Sequence, residues 1–573
     1  MIRRLLFAVF GVCLAICVPL VAGAQIMSAA SGSWTVGSTW VGGAVPDSAD
    51  DVQIQSGHTV SVDDNFAVCN DLSFAADDAL IDMNANSMLT VYGDVTIAST
   101  GHTAFSGGWS ATNAYIKFAG AEDQVLSGWS TSGGSTSFRD VIIDKVGESK
   151  VTTDASGMRL GIQNSLEIIN GTLELAAGDD IEGRWASSGN FTNNPLPNVI
   201  IQSGGQFDVV DGSGAHHIRS GVDQPIGTWT VHGWARFRDA SSFKINFTGI
   251  DIEDGGKVVT STGCAGGELE FGIVNVKSGG ELENYTTSDI YGASVVFTLN
   301  DGGIFDTKSS TTIFPASFTN DGTVRYSRDG SSDQQIVDMD YKNLEVADDV
   351  DNVKIWDLAA SRAVSGDLTV DADASFVITA GAAQTLTVDG AFDATGGSVD
   401  ASDSDVTIVL GASATLAEAA GAPVLGRVRT TRDIAQGVNE TFGGIGLELD
   451  AAGAAPGLTQ VTRVSGVALS VDTYQSIERY FDIVPANNSG LDATVVFHYD
   501  ESELNGISEI SLDMFSTLDG GTTWSHLVGT RDETGNTVTG SGVDALGRLT
   551  LAGEGASRTE PTTWGRIKAE FGE

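Results

Sequence analysis

A chain of 573 residues with 71 glycines, 10 prolines and 75 acidic residues against 30 Lys and Arg carries a formal charge of −45. Such a surface repels phosphate, which excludes nucleic acid and anionic lipid surfaces as natural partners. The length is enough to bury a large core in more than one domain without disulfide staples.

Residues 1–24 read as a cleaved export signal. Arg3 and Arg4 form a basic start, Leu5 to Val21 is apolar, and Ala22-Gly23-Ala24 offers the small-x-small pattern of a signal peptidase site, leaving Gln25 first. The apolar stretch is short for a bilayer span. Neither Cys13 nor Cys17 follows the small residue that a lipoprotein signal needs. Removal of the two arginines leaves 28 Lys and Arg against 75 acids, a charge of −47, on a secreted or cell-surface protein with no further transmembrane helix.

Residues 25–50 carry Trp34, Trp40 and a Pro-Asp turn, suited to capping the first layer of a stack. From 51 to 425 one phrase recurs: an alternating apolar run closed by a glycine or aspartate turn, as in HTVSV (58–62), LTVYGDVTI (89–97), VNVKSGGELEN (274–284) and LTVDGAFDA (386–394). Period-two alternation with G-G, D-G and N-G turns indicates strands. ATLAEAAGA (414–422) is the main helix candidate and is short. Two longer blocks echo each other: AYIKFAGAEDQVLSG, FRDVIIDKV and SLEIINGTLEL (114–175) against GTVRYSRDGSSDQQIV, YKNLEVADDV and GDLTVDADASFVI (322–378). Short strands, glycine corners and this repeat predict an all-β chain built on a right-handed parallel β-helix of ~20–25 residues per coil, in which stacking pairs every strand except those at the two ends. Residues 426–553, with longer alternating strands such as RYFDI and ATVVFHY, predict an antiparallel β-sandwich, and 554–573 a flexible tail.

The segment WTVGSTWVGGAVPDSADDVQIQSGHTVSVDD resembles the opening of exported repeat-rich surface proteins of Bacteroidota-type bacteria. ETFGGIGLELDAAGAAPGLTQVTRVSG, SIERYFDIVPANNSGLDATVVFHYDESELNGISE and FSTLDGGTTWSHLVGT resemble the β-rich domain that precedes the type IX secretion sorting domain in such proteins, and the sorting domain itself is not seen after it. The resemblance implies a large exported repeat protein, often an adhesin or matrix component.

Four clusters bear on chemistry. Thr517-Leu518-Asp519-Gly520-Gly521-Thr522-Thr523-Trp524 matches the Asp-box pattern T-x-D-x-G-x-T-W; a single copy predicts a hairpin turn capped by Asp519 over a packed Trp524, with no sialidase activity. His216, His217 and Arg219 precede Arg236, Arg238 and Asp239 by about one coil, and Lys257 follows by about another. On a β-helix they could share a face, as in a polysaccharide lyase whose basic residue removes a proton beside a neutralised uronate, although solvated faces or coil-end pairs explain them more simply. Asp82-Met83-Asn84-Ala85-Asn86 begins like a calcium loop but has Ser87 and Gly93 at the required Gly and Glu positions, and Asp400, Asp403 and Asp405 cluster near a turn. Turn capping is the preferred account of both, so no cofactor is expected, and calcium is the one ion these turns could hold. Finally, Cys69 and Cys264, 195 residues apart, would sit many coils from each other and are expected as separate buried thiols.

No catalytic residue is therefore assigned. The leading reading is an exported, non-enzymatic β-solenoid with a structural or adhesive role toward an extracellular glycan, cell surface or matrix. The alternative is a carbohydrate-active β-helix enzyme, a lyase or glycosidase acting on an acidic glycan.

Overall fold

The structure, a computed structural model, describes residues 25–97, 104–106, 113–128, 137–154, 159–176, 179–183, 198–209, 217–220, 226–237, 244–260, 268–285, 291–328, 330–347 and 352–553. The expected signal, the expected tail, His216, Arg238, Asp239 and Cys264 lie outside the described residues. Among the described residues no helix is long and apolar enough to cross a membrane.

Alternation decides the architecture. Thr59–Val62, for example, buries Val60 and Val62 and turns Thr59 and Ser61 outward. Repeated coil after coil, the inward positions fall into columns: Val258, Leu282, Phe305, Val324, Leu344, Leu368, Phe392 and Leu416 stand in register, each paired with the next, and all are buried. Each such side chain contributes about 1.5–3 kcal/mol of burial. Apart from isolated bridges between Ser28 and Trp40 and between Ala419 and Ala422, every strand pairing described within residues 25–430 is parallel, giving a solenoid of more than a dozen turns.

Coil length is less uniform than the sequence suggests. Ile304 to Thr323 closes a coil in 19 residues, whereas Thr172 to Gln206 takes 34. Strand length is also no guide to region. The longest strand, Arg159–Leu175, belongs to the solenoid, where it rounds a corner through a register shift between Ile168 and Asn170 and through Gly171 at φ 75°. A Cβ at Gly171 would lie 2.5 Å from Lys145 Cβ and 2.6 Å from the Ser149 carbonyl, so the corner admits only glycine.

Residues 25–50 join the stack as its first layer. Gln25–Met27 pairs in parallel with Asp51–Ile54, and Gly32–Ser33 with Thr59–Val62. Trp34 and Trp40 are buried edge to face at 5.0 Å, with Trp40 Nε1 donating to the Trp34 carbonyl at 2.7 Å. Residues 414–422 are not helical: Thr415–Glu418 is a strand paired with Ala391–Ala394. The inward column needs Leu416 opposite Phe392, and that pairing overrides the helix propensity of the alanines.

The two echoing blocks have a structural counterpart. Gln124 is buried and donates through Nε2 to the Val91 and Gly93 carbonyls of the preceding coil; Gln334 is buried and donates to those of Thr307 and Ser309. In each case one amide closes the corner of the coil before it. Gln124 Oε1 also accepts from the buried Lys145 ammonium at 2.7 Å, and burial pushes that lysine's pKa down to about 8.

At the C-terminal end strand direction changes. Leu425–Ile434 lies parallel to Ser398–Ala401 and Val406–Leu410 on one side and antiparallel to Gly457–Ser465 on the other. The expected boundary at 425/426 thus falls inside one strand. From here Gly457–Ser465, Tyr474–Pro485, Arg548–Gly553, Asp513–Thr517 and Ser525–Leu527 continue as an antiparallel sheet, faced by a second sheet of Leu447–Ala451, Ala493–His498, Thr537–Val543 and Gly529–Asp532. Phe481 of the first meets Phe497 of the second edge to face at 4.9 Å, forming the sandwich core. Under the junction lie two buried ion pairs. Arg463 holds Glu418 through two bonds of 2.6 and 2.7 Å, and Arg479 holds Glu503 at 2.8 Å.

Candidate functional site: a charged ladder and two C-terminal cavities

On the solenoid flank, positions next to the buried column carry charge. Asp208, Arg236, Val259, Glu283, Asp306, Arg325 and Glu345 stack in register through successive rungs, with Lys257 and Glu281 in the adjacent column. Arg236 grips Asp208 through both nitrogens, with Nε at 2.9 Å, and its guanidinium lies 4.3 Å from the Trp234 ring. Lys257 bridges Glu281 at 3.1 Å and also Glu283. Arg325 donates to Glu345 at 2.6 Å and lies 3.8 Å from Asp306.

These contacts fix the protonation states. Burial works against the Lys257 ammonium, but Glu283 and Glu281 overcome it and hold its pKa above the ordinary lysine value. A lysine held this way keeps its proton and is not poised as a base. Burial pushes Asp306 up to about 6 against the opposing pull of Ser327, Lys308 and Arg325. The ligand oxygens of Glu281, Glu283 and Asp306 lie within 4.8 Å of one another, but Lys257, Lys308 and Arg325 already stand among them.

Of the basic cluster read from the sequence, Arg236 and Lys257 fall on neighbouring paired strands, Trp234–Phe237 and Lys257–Thr260, but as members of separate ion pairs. His217 and Arg219 lie in a different strand, His217–Ser220, which pairs with Asp180–Gly183 and Lys244–Ile252. Asp82 ends in the strand Leu80–Met83, and the following turn is closed by Ser87 Oγ donating to the Asn84 carbonyl, with Asn86 at φ 57°. Asp403 accepts from the Asp405 and Ala380 amides, which hold its pKa below the usual range, and Asp400 accepts from the Ser402 amide; both act as turn caps. Cys69 is a buried free thiol, its pKa driven up by burial.

Two cavities lie in the C-terminal region, and little in the residue pattern points to either. The first, about 630 Å³, opens over the junction and is lined by Glu418, Glu448, Arg479, His498, Tyr499 and Asp500. Its carboxylates are already engaged. Glu448 accepts from Asn439 at 2.8 Å and contacts His498 Nε2 at 2.9 Å, and the Asn439 and His498 contacts hold it below the usual range. Asp500 accepts from the Gly421 amide at 2.8 Å. An ionised, donor-saturated carboxyl has no proton to give, so Glu448 and Asp500 are not set up as general acids.

The second cavity, about 530 Å³, lies beside the Asp-box hairpin, and its wall includes Trp524. Here the sequence expectation is met in detail. Asp519 accepts from the Thr522 and Thr523 amides, both at 2.9 Å, and from the Thr517 and Thr523 hydroxyls, while Gly520 and Gly521 take φ of 73° and 100°. Those four donors hold the Asp519 carboxyl far below its ordinary pKa.

Comparison with models of known families, with curated proteins and with solved structures returned no match.

Proposed function

We propose that the chain is an exported, non-enzymatic β-solenoid with a structural or adhesive role at a cell surface or in an extracellular matrix. The observation that carries this reading is the charged ladder. Arg236, Lys257 and Arg325, the cations that would serve chemistry on an acidic glycan, are each committed to carboxylates of their own or adjacent rungs. They hold coil to coil, and among the described residues of the ladder each of these three cations is paired. More than a dozen rungs spaced about 4.8 Å apart make a rod of roughly 60 Å, a form suited to holding surfaces at a distance. The signal-like N-terminus and the resemblance of residues 426–553 to an exported β-rich domain favour an external location.

Two measurements test this. Protease added to intact cells that make the chain should degrade it while cytoplasmic markers survive. The purified protein mixed with polygalacturonate, alginate or hyaluronan should give no rise in the ultraviolet absorbance of unsaturated uronates. Protection from protease overturns the location, and a sustained absorbance rise that Lys257→Ala abolishes overturns the non-enzymatic role.

A further inference from the structure

We propose that the cavity beside the Asp-box hairpin is a binding site for neutral saccharides. Its size falls in the ~300–1,000 Å³ range of small-molecule sites. What distinguishes it is the pairing of aromatic faces with convergent polar groups. Tyr474, 40% exposed, and Phe515 stand with ring centroids 5.8 Å apart, and Phe515 and His526 at 5.2 Å. Trp524 completes the wall. These rings belong to or pack on a small apolar cluster of Val471, Phe515 and Ala552 that is separate from the main core.

Polar groups sit at the same place. Arg531 Nη1 donates to the Leu512 carbonyl at 2.8 Å and lies 3.6 Å from Asp513; His526 Nε2 lies 3.3 Å from Asp513. All three side chains remain between a third and a half exposed, so donors and acceptors are left for a ligand. The Trp524 indole N–H is enclosed and has no acceptor among the described residues. An enclosed unpaired donor costs about 1–3 kcal/mol.

A pyranose fits this chemistry because it is two-faced: its axial C–H groups form an apolar face that stacks on an aromatic ring, while its hydroxyls, each donor and acceptor, pair with carboxylate and guanidinium at the edge. Charge selects within the class. Asp472 and Asp513 outnumber Arg531 around the cavity, and the whole chain is at −45, so uronates and sulfated sugars are repelled and neutral sugars are not. The Asp519 turn acquires a role in this arrangement: four bonds to one carboxylate fix the loop that delivers Trp524. The site does not rest on the chain's location or on the role of the ladder.

The test is calorimetric titration of the purified full chain with hexamers of β-1,4-linked glucose, mannose and xylose, with a galacturonate hexamer as anionic control. At least one neutral hexamer should bind at millimolar concentration or below and the galacturonate hexamer more weakly. Trp524→Ala and Tyr474→Ala should each weaken binding about tenfold or more, whereas Phe66→Ala, at an exposed aromatic on the solenoid, should leave it unchanged. Tyr474 stands at the rim, so its variant reports on binding even where Trp524→Ala disturbs the hairpin. Absence of binding to all three neutral hexamers, preference for galacturonate, or binding untouched by Tyr474→Ala overturns the proposal.

Discussion

Lys277 and Glu253 meet on the flank of the solenoid with 43% and 22% of their side chains exposed, whereas Arg463 and Glu418 meet at the junction with 0% and 14% exposed. The same charge types are at work in opposite surroundings. On the solenoid, burial of columns such as Val258 to Leu416 supplies the stability, and ion pairs between rungs add little, because water screens each partner in the folded and unfolded states alike. At the junction, the charges have left water, and each survives only because the other is there. Similar distances therefore carry very different energies, and only burial tells them apart.

The sharpest way to break this contrast is Glu418→Ala. It strands the Arg463 guanidinium in the interior and should lower stability by about 3–5 kcal/mol in urea unfolding, while Glu418→Leu with Arg463→Met should recover most of the loss. A loss under 1 kcal/mol would place the junction on the same footing as the flank. Next in size is Gln124→Ala, which frees two carbonyls and the Lys145 ammonium inside the stack and should cost about 2–3 kcal/mol by the same measurement. The equivalent Gln334→Ala should cost a similar amount if the two corners are true repeats.

Asp306 lies between the extremes, covered although it sits on the ladder. Its folded pKa of about 6 exceeds the ordinary 3.8, so the folded chain retains a proton that the unfolded chain has released. Its contribution to stability should therefore fall as pH rises from about 4 to 6 and stay level above, and Asp306→Asn should flatten that window by about 1–2 kcal/mol in unfolding measured across the range. A steeper window in the variant would reverse the sign and refute the assignment. The smallest effect is expected at the flank: Lys277→Ala should change stability by less than about 1 kcal/mol and become silent in high salt.

How far the sequence reached follows from the same physics. Period-two alternation is a local property, so LTVDGAFDA declares strands on sight, and the Asp519 turn could be read because all its donors lie within four residues of it. The corner role of Gln124 and Gln334 was half visible as an echo between blocks, without the information that both close a preceding coil. The junction ions were illegible: Glu418 and Arg463 are 45 residues apart and look like ordinary surface residues until the strands are placed. The sugar cavity draws Tyr474, Phe515, Trp524 and Arg531 from four separate segments, and only Trp524 stood in a motif. Arg236 and Lys257 follow the simpler of the two readings of their spacing, since each is held in an ion pair between coils.

The strand Leu425–Ile434 has a further consequence. A parallel stack resembles a living polymer, since the last rung presents the same edge as the one before and would accept another. This strand spends that edge on an antiparallel partner, and Gly426, whose added Cβ would lie 1.9 Å from the Ala401 carbonyl, fixes where the change of direction begins. On this sheet it acts as a terminator built into the monomer: neither a further rung nor a second molecule can pair with Leu425–Ile434 without first unzipping nine antiparallel pairs.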